Sequence, residues 1–150
     1  MKKLLTIFLI FALFSCFNSI DEIKYSLSRG FLGRLIDRFS VTFNRLSGIQ
    51  AVYMEANRLN PEENAKGEKV YNLTTEELGL PSLKELFKLF NKINFPEETN
   101  WKDNKLFDVP IWYLYVDGKG YYSNRGTEFM QEFANIVNLT NIKEYCMSKY

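Results

Sequence analysis

The run Ile111-Trp112-Tyr113-Leu114-Tyr115-Val116 is a dense cluster of β-branched and aromatic residues, the types that suit a pleated, half-buried surface. It leads into Asp117-Gly118-Lys119-Gly120, a turn with glycine where a positive φ is needed, and then into Tyr121-Tyr122-Ser123. The pattern predicts a β-hairpin over residues 109–124, with Pro110 suited to an edge or first strand position. Alternation places Trp112, Leu114 and Val116 on one face and Ile111, Tyr113 and Tyr115 on the other. A lone two-stranded hairpin is marginal in water, so this one requires a third strand, expected in residues 67–73, or a covering layer of helices.

Helices are expected to supply that cover. Ile20, Ile23, Leu27, Phe31, Leu35, Phe39, Phe43, Leu46, Ile49 and Tyr53 recur at spacings of three and four. This predicts one long amphipathic helix, or two nearly collinear ones, ending before Asn60-Pro61. Gly30 and Gly33 inside it each cost about 1 kcal/mol relative to alanine and favour a break or a close helix contact. A polar, charged connection follows over residues 60–72, and Thr74 or Thr75 reads as a cap of a short turn closed by Leu78 and Leu80. Pro81-Ser82 opens a helix whose apolar face is Leu83, Leu86, Phe87, Phe90 and Ile93, stopped by Phe95-Pro96. A loop over residues 96–108 precedes the hairpin. Two further helices are expected at Thr127–Val137 and Thr140–Ser148, capped by Gly126-Thr127 and by Thr140. The fold class expected is α+β: a long N-terminal amphipathic helix and further helices packed on a small antiparallel sheet that contains the 109–124 hairpin.

The first residues have a different character. Lys2 and Lys3 form a positive head, and Leu4 to Phe14 is apolar except for Thr6. As a helix these eleven residues rise only about 16 Å, short of the ~30 Å hydrocarbon core, so the segment reads as an export signal rather than a membrane span. Leu13-Phe14-Ser15-Cys16 then resembles the lipobox of bacterial lipoproteins, with an aliphatic residue three before the cysteine and a small residue just before it. The resemblance implies cleavage after Ser15, a thioether-linked diacylglycerol on Cys16 and acylation of its new amine. Two or three chains anchor stably, because each buried methylene contributes about 0.8 kcal/mol. It divides the chain into a signal peptide (1–15), a lipidated tether (16–22) and a single globular domain (23–150). It also implies a bacterial cell-envelope location, and Phe17 after the cysteine favours the outer membrane or cell surface in a Gram-negative host. Ordinary signal cleavage and an uncleaved anchor are the alternatives. Cys146 reads as a partly buried free thiol, and pairing with Cys16 competes only where the signal is not removed at Ser15.

Composition narrows the function. Removing residues 1–15 from the 150 leaves 135, one domain's worth, and 46% hydrophobic content supports a core without disulfide or metal staples. Without Lys2 and Lys3 the formal charge turns from +1 to −1, which lacks the basic footprint of a nucleic-acid binder. Histidine is absent, which excludes His-type zinc sites, histidine acid–base catalysis and Ser-His-Asp or Cys-His arrangements. Glu62-Glu63, Glu76-Glu77 and Glu97-Glu98 are adjacent pairs whose side chains diverge, and they read as solvated surface. Gly118-Lys119-Gly120 lacks the spacing of a phosphate loop, and no cofactor or metal motif is read. Tyr113, Tyr115, Tyr121 and Tyr122 are candidates for a protein-binding patch, since tyrosine combines contact area with a polar tip. The expectation is a non-catalytic, membrane-anchored protein-binding module, such as an immunity protein, inhibitor or surface interaction protein. A pilin-like structural subunit is the alternative, because a hydrophobic start, a long helix and a small sheet resemble that family.

Overall fold

A computed structural model describes residues 19–31, 34–55, 67–97, 111–123 and 126–150 of the chain. Residues 1–18 lie outside them, and with them the export signal, the lipobox and Cys16. Most of the expected loops at 60–72 and 96–108, and Pro110, lie outside as well.

The expected long N-terminal helix is overturned: the described residues from Glu22 to Glu55 form a β-meander. Strands β1 (Glu22–Phe31), β2 (Arg34–Asn44) and β3 (Gly48–Glu55) pair antiparallel in succession. The reason lies in the number four. Apolar residues at 23, 27, 31, 35, 39 and 43 satisfy a helical face, yet four residues are also two strand repeats. The positions between them decide, because Tyr25, Val41 and Ala51 are buried on the same face as Ile23, Phe39, Phe43 and Ile49. The alternating residues Lys24, Ser26, Ser28, Thr42 and Gln50 are polar. That is period two, and the helical reading skipped half of it. A turn replaces what would have been helix interior: Asn44 Oδ1 accepts the Leu46 and Ser47 amides, both at 2.9 Å. Gly48 follows at φ +94°, a conformation that costs glycine little.

Strand β4 (Lys69–Leu73) continues the meander, and β5 (Ile111–Val116) and β6 (Lys119–Ser123) form the expected hairpin. Asp117 and Gly118 turn it at φ +47° and +81°, as a two-residue turn of the primed type requires. The six-stranded order is β4-β3-β2-β1-β5-β6. The expected strand at 67–73 therefore exists, but on the edge opposite the hairpin. The hairpin's third strand is β1, with Tyr25 opposite Leu114 and Ser26 opposite Tyr113.

Among the described residues three short helices complete a mixed α+β arrangement: α1 (Leu83–Phe90), α2 (Glu128–Ile136) and α3 (Leu139–Lys149). Helix α1 begins at Ser82, whose hydroxyl accepts the Glu85 amide, and it buries Leu86, Phe87 and Phe90, as its periodicity predicts. Thr127 sits at the cap of α2 without a side-chain capping bond. Asn138 at φ +48°, not Thr140, holds the cap position of α3. Thr74 and Glu77 cap the intervening turn reciprocally: Thr74 Oγ1 accepts the Glu77 amide at 3.2 Å, and Glu77 Oε2 accepts the Thr74 amide at 2.8 Å. Those bonds hold the Glu77 carboxyl below its ordinary range.

Among the described residues the helices pack on one sheet face, through aromatic rings. Phe133 of α2 meets Tyr25 of β1, Phe43 of β2 and Phe90 of α1, with centroids 6.4, 5.9 and 5.4 Å apart. Phe129 meets Tyr121 of β6, and Tyr71 of β4 donates to the Cys146 carbonyl of α3 at 3.2 Å. Asp37, at the margin of this layer, is buried and lies 3.6 Å from Lys143 of α3. No helix among the described residues is long and apolar enough to cross a membrane.

Candidate binding groove

With the helices on one face, the opposite face of the sheet is uncovered among the described residues, and strand register determines what stands on it. One cross-strand row runs Val70, Val52, Ser40, Ser26, Tyr113, Tyr122 from β4 to β6. The next runs Asn72, Gln50, Thr42, Lys24, Tyr115, Gly120. Toward the other end, Ser28 faces Arg38, which faces Met54. Serines at the centre of a twisted sheet, between tyrosines on one side and Val52 on the other, leave a concavity. A groove of about 750 Å³ results, lined among others by Ser26, Ser28, Ser40, Val52, Tyr113 and Tyr115. That volume lies within the range of small-ligand and side-chain sites.

The groove mixes hydroxyl and charged groups with the apolar surface of Val52 and the tyrosine rings. Ser40 forms part of its floor at 9% exposure, and among the described residues its hydroxyl makes no hydrogen bond. Glu22 and Lys24 stand toward one end, and Arg38 and Glu68 toward the other. Arg38 and Glu68 pair at 3.4 Å, but both are about half exposed, so the pair adds little stability. Lys24 has no ion-pair partner among the described residues. The Tyr113 and Tyr122 rings stack at 6.1 Å and 27°. Burial, and then the neighbouring Tyr115 and Tyr122 phenols, push the Tyr113 phenol above its ordinary value. It therefore remains a neutral hydrogen-bonding group at physiological pH.

Of the four candidate tyrosines, the sheet brings Tyr113, Tyr115 and Tyr122 together on this face. Tyr121 is on the other: it is buried, its hydroxyl donates to the Pro96 carbonyl at 2.7 Å, and its ring lies against Phe95 and Phe129. The groove's serines and cations were missed by sequence reasoning because they fell within the expected helix. Their signal was the alternation Lys24-Ser26-Ser28 and Arg38-Ser40-Thr42.

The groove can hold a ligand by hydroxyl hydrogen bonds, ring contact and charge of both signs. Among the described residues no three thiol or carboxylate groups converge to hold a metal. Cys146 is fully buried in α3, and burial pushes its thiol up to about 11, which keeps it protonated and unreactive. A smaller cleft of about 300 Å³ lies on the helical side, lined by Trp112 and by Gln131, Asn135 and Asn138 around the α2–α3 junction. Compared with protein-family models, with curated proteins and with solved structures, the chain matches none.

Proposed function

We propose that this chain is an exported, lipid-anchored envelope protein that holds a protein partner against the open face of its sheet, without catalysis. The groove carries the reading: a serine floor that includes Ser40, whose hydroxyl makes no hydrogen bond among the described residues, a wall of Tyr113 and Tyr115, and charges of both signs toward its ends. Tyrosine walls are typical of protein recognition surfaces, because a rigid ring gives area at low entropic cost. The lipobox-like Leu13-Phe14-Ser15-Cys16 supports the anchor. An immunity or inhibitor role, or a surface interaction role, suits such a tethered surface. The pilin-like alternative loses the long helix on which it rested.

The test is site-specific photo-crosslinking in cells, with the photoreactive residue at Ser26 in the groove and, as a control, at exposed Glu132 on α2. A discrete protein adduct from position 26, absent from position 132 and lost in Ser40→Trp, is expected. Ser40→Trp is accepted only where its thermal unfolding stays cooperative. Identical adducts from both positions, or none from position 26, would overturn the proposal.

A further inference from the structure

We infer that the end of the sheet bearing the β2–β3 turn rests on the membrane, with the Leu46 side chain in the lipid interface. The inference rests on the anchor at Cys16 proposed above. Its first support is how firmly the chain is held where the domain begins. Ile20 is buried, its amide donates to Asn91 Oδ1 at 2.9 Å, and its carbonyl accepts from Arg45 Nη2 at 2.6 Å. One residue on, the Asp21 carbonyl accepts the Arg45 amide at 2.9 Å. Asp117 Oδ1 accepts the amides of Asp21 and Glu22 at 3.0 and 2.8 Å. The chain is thus fixed to three elements at once, and no slack remains after Ile20.

The second support is length. From Cys16 to Ile20 there are four Cα steps, which span at most about 14 Å. Headgroups occupy roughly 5–8 Å of each leaflet. Strand β1 then carries its ten residues about 33 Å away from the clamp. A lipid on Cys16 therefore keeps the clamped end close to the surface, while the far end of β1 is the part the tether leaves free to stand off.

The third support is what that end presents. Arg45, which grips Ile20, is followed by Leu46, 96% exposed at the tip of the turn. Both amides at the tip, those of Leu46 and Ser47, are already satisfied by Asn44 Oδ1, so the turn can enter a poorly hydrated layer without stranding them. The Arg45 guanidinium is likewise occupied, 3.3 Å from the Asp21 carboxylate and 4.9 Å over the Phe87 ring. Among the described residues the other exposed large apolar side chains, Val70 and Met147, lie in β4 and α3, away from this turn. In this orientation the Glu22–Gly118 end of the groove faces the membrane, the Arg38–Glu68 end faces away, and a partner enters from the side.

The experiment uses full-length protein from a bacterial host, with Leu46→Cys or Met147→Cys carrying an environment-sensitive fluorophore, reconstituted into phosphatidylethanolamine–phosphatidylglycerol vesicles. The mass of the N-terminal peptide is measured in parallel. With Cys16 acylated, the label at 46 should shift to the blue and resist aqueous iodide, while the label at 147 stays quenched. Equal quenching at both positions on an acylated chain overturns the docking and leaves the anchor standing. An unacylated Cys16 overturns both.

Discussion

Phe133 joins both layers of the molecule: one ring from α2 touches rings of β1, β2 and α1. Phe133→Ala leaves a cavity between both layers, and a loss of about 3–5 kcal/mol is expected in denaturant unfolding. Asp117 acts by hydrogen bonding, accepting two amides while turning the hairpin at φ +47°. Asparagine keeps an acceptor oxygen and tolerates that conformation, so Asp117→Asn should cost well under 1 kcal/mol, whereas Asp117→Ala should cost about 1–2 kcal/mol. Cys146 predicts an alkaline limb. Its folded thiol, raised by burial from 9.0 to about 11, keeps its proton where the unfolded chain has lost it. The folded state then binds more protons, so stability is intact below pH 9 and falls as pH rises from about 9 to 11. The Tyr25 and Tyr71 phenols, also raised by burial, continue the loss at higher pH. In Cys146→Ala the curve of unfolding free energy against pH should flatten between 9 and 11.

The elements differ in how much they depend on one another. β1 lies inside the sheet and ladders to β2 and β5, while β4 and β6 are edges. Native-state amide exchange should therefore be slowest in β1 and β2 and fastest in β4 and β6. Ser26→Pro removes a ladder donor between two paired strands and should abolish cooperative unfolding, a loss of ~3 kcal/mol or more. The hairpin and the three helices were legible from residues 81–149, because each signal there is local: Asp117-Gly118 demands its turn, and Leu83-Leu86-Phe87-Phe90 has no competing strand pattern. Residues 20–53 were misread because spacing by four fits both periods. What separates the periods is the set of intervening residues, Tyr25, Val41 and Ala51, together with the serines opposite them.

At the largest scale, the described residues form a sheet with helices on one face and a groove of serines, tyrosines and charges on the other, and this asymmetry carries the functional proposal. Filling the groove should affect binding far more than folding: Ser28→Trp is expected to leave the unfolding midpoint within a few degrees while abolishing the adduct crosslinked from position 26. Hydropathy and turn chemistry alone marked out the hairpin and the short amphipathic helices, because each depends on residues near one another in the chain. They also divided Tyr113 and Tyr115 from Trp112 and Leu114, since alternation is local. Which face would be covered by the helices, and so which of Tyr121 and Tyr122 stands opposite them, depended on where Phe95 and Phe129 pack. The groove itself combines Ser26, Ser40 and Tyr113, residues from three strands aligned only by register across the sheet. Register is settled when apolar faces from distant segments are buried together, a free energy that belongs to the assembled core and to no single stretch of sequence.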